Sequence, residues 1–237
     1  MSEEIDINQS LLKLSRLLGV EFNNIDHLLT AITHRSYLNE HKNFNLEHNE
    51  RLEFLGDAVL ELIVTDYLYH NYKDPEGILT NWRSSLVNAT SLSQISEKLK
   101  IYDFLYLSKG ESKDNNKKAR NYILSNAFEA IIGAIYLDQG YKPTKKFIQD
   151  NLIINLKQII VDKSYIDSKS LFQEKSQEIL NITPHYKVIS ESGPDHNKEF
   201  IVGVYINKEL IAKGKGYSKQ EAQTNAAYKS LKIKNWN

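Results

Sequence analysis

Between Glu50 and His70 the chain reads ERLEFLGDAVLELIVTDYLYH. Leu52, Leu55, Val59, Leu62 and Ile63 recur at helical spacing, which predicts one long amphipathic helix. At about 100° per residue, Glu50, Glu53, Asp57 and Glu61 fall within roughly 80° of one another on its other side. No Lys or Arg occurs from Leu52 to His70, so these acids have no basic partner on their own helix. Like charges three or four apart cost a helix about 0.2–0.5 kcal/mol per pair, and more where water is excluded. One reading is a solvated acidic face. The apolar residues flanking the stripe (Phe54, Leu60, Val64) favour another, a cation supplied from outside the helix. Oxygen-only ligands select Mg²⁺ or Mn²⁺.

Tyr122–Asp138, YILSNAFEAIIGAIYLD, is a second and more apolar helix. Asn126 and Glu129 sit three apart on one of its faces, and Gly133, four further on, allows close helix approach. A lone Glu amid Ile and Ala rarely stays ionised without a partner. Asn126 with Glu129 therefore forms a natural second half for Glu53 and Asp57.

The segment NERLEFLGDAVL (Asn49–Leu60) resembles the signature of the ribonuclease III family of double-strand-specific RNA endonucleases, and LLTAITHRSY (Leu28–Tyr37) resembles that family's amino-terminal segment. The resemblance implies an all-α endonuclease domain whose metal is held by Glu53, Asp57, Asn126 and Glu129, with Asp57 and Glu129 catalytic. Asn126 stands where the family usually has Asp; its amide oxygen still ligates a hard cation, with one negative charge fewer. Glu50, and Glu76 in the turn NYKDPEG, match positions of supporting site carboxylates. His34 and Arg35 read as structural or helix-end residues. Lys109–Arg120, with five basic residues and two acids, reads equally as a solvated loop or a phosphate contact.

Residues 161–168 lose the helical period and read as a linker between an endonuclease domain at 1–160 and a second domain at 169–237. From Lys169 the pattern becomes helix, three alternating strands, helix. Ser218 with Glu221 forms a capping box for the last helix. This α-β-β-β-α order, with GPDHNK (Gly193–Lys198) and GKGYSK (Gly214–Lys219), resembles the double-stranded RNA-binding domain. That resemblance assigns Ser170, Gln173, Glu174 and His196 to the minor groove of an RNA duplex. Lys219 at a helix N-terminus, with Lys213 and Lys215 nearby, is suited to phosphate. Gln220 stands where the family often has a second Lys.

The overall charge balance of 30 basic to 30 acidic residues conceals an asymmetry: residues 164–237 carry 11 Lys and 8 acids, so the front of the chain is acidic and the back basic. No cysteine is present, which excludes disulfides and thiolate chemistry. No apolar run is long enough for a membrane span, and an acidic start without a hydrophobic core gives no signal peptide; a cytoplasmic location is expected. The family resemblance implies Mg²⁺-dependent hydrolysis of duplex RNA by a homodimer, leaving 5′-phosphates and short 3′ overhangs, in rRNA precursor and mRNA processing. The alternative that Asn126 favours is a binding protein of the same fold that has lost cleavage. A third is an unrelated metal-dependent hydrolase fused to an RNA module.

Overall fold

The computed structural model describes residues 2–114, 116–162, 167–194 and 198–236. The chain divides into two compact units, Met1–Tyr165 and Ile166–Asn237. The first is all helical: α1 (Ser2–Leu18), α2 (Ile25–Ala31), α3 (Arg35–Glu40), α4 (Glu50–Asn71), α5 (Glu76–Val87), α6 (Ala89–Lys98), α7 (Lys109–Lys113), α8 (Lys117–Gln139), α9 (Tyr141–Asn151) and α10 (Leu156–Val161). Among the described residues, no helix is long and apolar enough to cross a membrane.

Helix α8 is the axis of this unit. From Leu124 to Ile135 every residue except Asn126 and Glu129 is buried, as expected of a helix apolar on all sides. The Asn116 side chain accepts from the Lys118 and Ala119 amides at its start. Gly140, at φ 77°, stops it in a conformation that favours glycine. Helix α9 then starts at once, so Gly140 alone makes the break. A 3₁₀ turn at Ile153–Asn155 separates α9 from α10.

Helix α4 packs along α8, but its buried face differs from the one expected. Leu52, Gly56, Val59, Leu60, Ile63, Val64 and Leu68 are buried, whereas Leu62 is 59% and Phe54 82% exposed. The buried arc is thus turned by roughly 80° toward the acidic stripe. The cause is glycine. A Cβ on Gly56 would run into the Glu129 carbonyl, and one on Gly133 into the Leu52 carbonyl, so the two backbones touch here. Hydrogen bonds from other helices hold the pair: the buried Ser96 hydroxyl donates to the Leu124 carbonyl (2.8 Å). Lys145 Nζ (2.7 Å) and the Tyr141 hydroxyl (3.2 Å) both donate to Asp66 Oδ2, joining α4 to α9.

The second unit runs α11 (Ser168–Leu180), β1 (His185–Ser192), β2 (Glu199–Ile206), β3 (Glu209–Gly216) and α12 (Lys219–Lys234). The strands form one antiparallel sheet in the order β1-β2-β3. Both helices cover the same face, around Phe172, Val204, Ile206, Ile211, Ala226 and Leu231. Gly214 permits this, since a Cβ there would strike the Ala222 carbonyl and the Ala226 amide of α12. At the start of α12, Ser218 Oγ accepts from the Glu221 amide (3.1 Å), while Glu221 Oε2 reaches back to the Tyr217 amide (2.8 Å). The chain is therefore an all-α unit followed by an α-β-β-β-α unit.

Candidate active site

Rotation of α4 sorts its four acids. Glu53 is half-buried and Asp57 exposed, and both lie close enough to α8 for their charges to act on Glu129. The Asn126 amide group hydrogen-bonds Glu53, and Glu129 lies within electrostatic reach of both Glu53 and Asp57. Glu50 and Glu61 fall outside and find cations from elsewhere in the fold. Arg35 Nη1 approaches Glu50 at 3.5 Å, with the His48 imidazole 3.8 Å away and a cation only when protonated, while Arg83 Nε of α5 meets Glu61 at 3.0 Å. These partners were invisible in the helix's own sequence because they come from other helices or the preceding loop.

No such partner reaches the inner acids: among the described residues, Glu53, Asp57 and Glu129 form no ion pair. Burial, then the charges of Asp57 and Glu53, pushes the Glu129 carboxyl up to about 8. Burial and the neighbouring Glu50 and Asp57 also raise Glu53, against the Asn126 hydrogen bond that favours its ionised form. A carboxylate in such surroundings is short of positive charge, and the donors around it are all oxygen: three carboxylates and one amide carbonyl. Among the described residues, no three His, Asp or Glu side chains close on a common point. The donor set nevertheless fits a hard divalent cation, because adding one relieves both the burial and the mutual repulsion.

Glu76 is not drawn into this group. It opens α5, exposed, and its Oε1 accepts from the Thr80 hydroxyl (3.1 Å). His34 caps α3, its Nδ1 accepting from the Ser36 amide (3.3 Å), and burial lowers its pKa. In the second unit, Ser170, Gln173 and Glu174 lie together along α11 and line one shallow depression with Gln177, Glu178 and Thr183. Ser170 Oγ donates to Asp167 Oδ2 (2.6 Å). Lys219 sits in the first turn of α12 with Nζ 5.8 Å from the centre of the Phe200 ring. Lys213 and Lys215 are separate from that group. Gly214 and Gly216 face α12, so by strand alternation the two lysines project from the opposite, open face. Lys215 there pairs with Glu199 at 2.7 Å. His196 lies outside the described residues.

A ribonuclease-III-like family model matches residues 24–156, and a double-stranded RNA-binding motif matches residues 168–234. The chain belongs to the ribonuclease III family. It is 45% identical over 227 residues to ribonuclease 3 of Carboxydothermus hydrogenoformans, covering 95% of this chain and 96% of that one. Ribonuclease 3 of Leptospira interrogans is 44% identical, with 92% and 88% covered. Among solved structures, the nuclease domain of the Campylobacter jejuni ribonuclease III is 41% identical, with a TM-score of 0.53 over 60% of this chain and 93% of that one. The backbone crossing of α4 and α8 thus belongs to a ribonuclease III fold, and the helix-strand unit that follows in the chain to a double-stranded RNA-binding motif.

Proposed function

We propose that this chain is an endoribonuclease that hydrolyses phosphodiesters in double-stranded RNA, with residues 1–160 as the cutting domain, 161–168 as the connection and 169–237 as the duplex-binding domain. The observation that carries this reading is that Glu53, Asp57 and Glu129, on two crossing helices, act on one another electrostatically without an ion-pair partner among the described residues, in a ribonuclease III family chain that also has the RNA-binding motif. Family membership brings a divalent-metal requirement; Mg²⁺ is the ion proposed here, with Mn²⁺ as a substitute. When bound, such an ion supplies Lewis acidity, acidifying water and neutralising charge on the phosphate and the departing oxygen. The carboxylates of Glu53, Asp57 and Glu129 and the Asn126 Oδ1 would hold it. Asn126, through its NH₂, keeps Glu53 ionised and turned toward α8. Asp57 and Glu129 are the catalytic pair, Glu129 giving up its proton as the site fills. Glu50 acts as a supporting carboxylate through its charge beside Glu53, and Glu76 through the first turn of α5.

Products are proposed to carry 5′-phosphates and short 3′ overhangs, and the expected work is processing of rRNA precursors and messages in the cytoplasm. Cleavage of an end-labelled RNA duplex with and without Mg²⁺, followed by mass analysis of the ends, tests this. Absence of products with either Mg²⁺ or Mn²⁺ would leave a binding protein; duplex DNA cut equally well would point to an unrelated hydrolase.

Asn126→Asp adds a fourth negative charge to the proposed donor set. Its half-saturating Mg²⁺, read by thermal shift as well as by cleavage, is expected to fall about tenfold, on the scale of one extra charged hydrogen-bonding ligand. An unchanged value would remove Asn126 from the ligand set.

For the RNA-binding part, Ser170, Gln173, Glu174 and His196 are proposed to reach the minor groove and Lys219 to meet its phosphates, with Lys213 and Lys215 meeting phosphate separately from the open face of the sheet. Deletion of residues 164–237 is expected to weaken duplex binding and flatten its dependence on salt, since each lost phosphate contact removes about 0.9 from the logarithmic slope. Equal affinity at physiological salt would contradict the assignment.

The active form is proposed to be a homodimer in which each subunit cuts one strand. Phe54, 82% exposed, itself lines a depression of about 630 Å³ together with Leu52, Leu55 and Leu137, rimmed by His27, Thr30, Glu47, His48, Glu50 and Arg51. A two-fold axis lets the ring of each copy enter the depression of the other. Phe54→Asp is expected to sediment as a monomer at concentrations where the parent sediments as a dimer; an unchanged profile would move the interface elsewhere.

A further inference from the structure

We propose that the open face of the β1-β2-β3 sheet is a second RNA site, a platform for unpaired nucleotides flanking the duplex. It rests on the reading of the chain as an RNA-binding nuclease and adds a substrate element that the duplex groove does not use. On this face, away from α11 and α12, Tyr205 of the central strand stacks on His185, with ring centroids 5.4 Å apart and planes at 14°. Both rings are partly exposed. The tips of Tyr205, Ile189 and Leu210 converge over Gly203, where an added Cβ would come within about 3 Å of all three. The result is a flat apolar floor, continuous with the stacked rings, that the inner core does not include.

The charge on this floor is of one sign. Lys187 and Lys213 are the cross-strand partners of Gly203 on either side. They therefore flank the floor at about two strand spacings, roughly 10 Å. The Lys187 ammonium lies 5.8 Å from the Tyr205 ring centre, and among the described residues neither lysine has an acidic partner. The neighbouring acids are engaged or turned away. Glu199 pairs with Lys215 and Glu209 with Lys234, and Glu191 lies in register with Gly216, which faces α12. Flat rings beside unpaired ammonium groups on a sheet suit a base stacked over a sugar-phosphate chain, since every base has a π-face and every linkage an anion. A protein partner would need carboxylates at the same two points and an apolar ridge, and nothing in the face favours that over RNA already held by α11 and α12.

The test uses the full chain in EDTA, so that nothing is cut. Two probes are compared by fluorescence anisotropy: a blunt RNA duplex of about sixteen base pairs, the span of one such module, and the same duplex with an unpaired oligouridine 3′ tail. The tail is expected to tighten binding about tenfold, on the scale of one or two stacked bases. Tyr205→Leu should lose that gain, Tyr205→Phe should keep it, and both should bind the blunt duplex like the parent. Should Tyr205→Leu misfold, the surface variant Lys187→Ala carries the same expectation. No gain from the tail in the parent, or a gain that survives in Tyr205→Leu or in Lys187→Ala, overturns the proposal. Self-association lost in Tyr205→Leu without any tail effect also overturns it, in favour of a second copy. Failure to cut the blunt duplex in Mg²⁺ would instead count against the nuclease reading and leave these comparisons intact.

Discussion

Glu129→Gln is expected to lower cleavage of duplex RNA by at least about a thousandfold while changing duplex affinity less than about twofold. The amide keeps the size and most of the packing of Glu129 on α8, so the crossing with α4 is preserved, but it removes the charge that a divalent ion requires. The same variant carries a second readout. In the ion-free fold, burial and the acids Asp57 and Glu53 hold the Glu129 carboxyl at about 8 against an ordinary 4.5. Between those values the folded chain binds more protons than the unfolded one, so stability falls as pH rises. Ion-free protein should therefore be most stabilised by this group below pH 4.5 and lose that contribution as pH passes 8. Thermal melts in EDTA should show a downward slope over this range that Glu129→Gln flattens and saturating Mg²⁺ removes. Loss of cleavage and of duplex binding together would mean that Glu129 is a packing residue; a slope unaltered in the variant would assign it to another group.

Gly133→Ala is expected to lower the melting temperature by roughly 6–12 °C, the equivalent of about 3 kcal/mol in a domain of this size. The new methyl has no side chain to push aside. It meets the Leu52 carbonyl of α4, and a main-chain atom yields only if the whole helix moves. Gly56→Ala meets the Glu129 carbonyl in the same way, from the other helix. Either substitution should also weaken cleavage in the fraction that stays folded, because forcing the helices apart separates Glu53 and Asp57 from Asn126 and Glu129. Differential scanning calorimetry with a cleavage assay below the transition reads both effects. A stable and fully active Gly133→Ala would mean that the helices do not approach as closely as described.

The parts of this fold that were legible in the sequence are those governed by local periodicity. The acidic stripe of α4, the apolar run of α8 with Asn126 and Glu129 as its polar exceptions, and the alternation of the three strands all follow from repeat distances that need no partner. Gly133 was legible as a contact point because it lies on the same face as Glu129. Gly56 was the missed signal, a glycine inside an otherwise strong helix pattern, and it turns the buried face so that Leu62 is exposed and Glu53 is drawn inward. Partners supplied by other elements were not legible: Arg83 for Glu61 and Arg35 for Glu50 are brought in by tertiary packing. The separation of Lys213 and Lys215 from Lys219 could have been read, since lysines alternate with Gly214 and Gly216 and a strand sends neighbours to opposite sides.

An uncovered phenyl ring shapes the history of a chain before it does any chemistry. Phe54 stays in water from the moment the amino-terminal unit folds until another surface covers it, and adhesion to unrelated apolar surfaces is the hazard of that interval. Crowded overexpression should lengthen the hazard for truncated or misfolded copies that lack a matching cavity, so soluble yield should track how quickly a well-formed counterpart is met rather than how stable the single unit is.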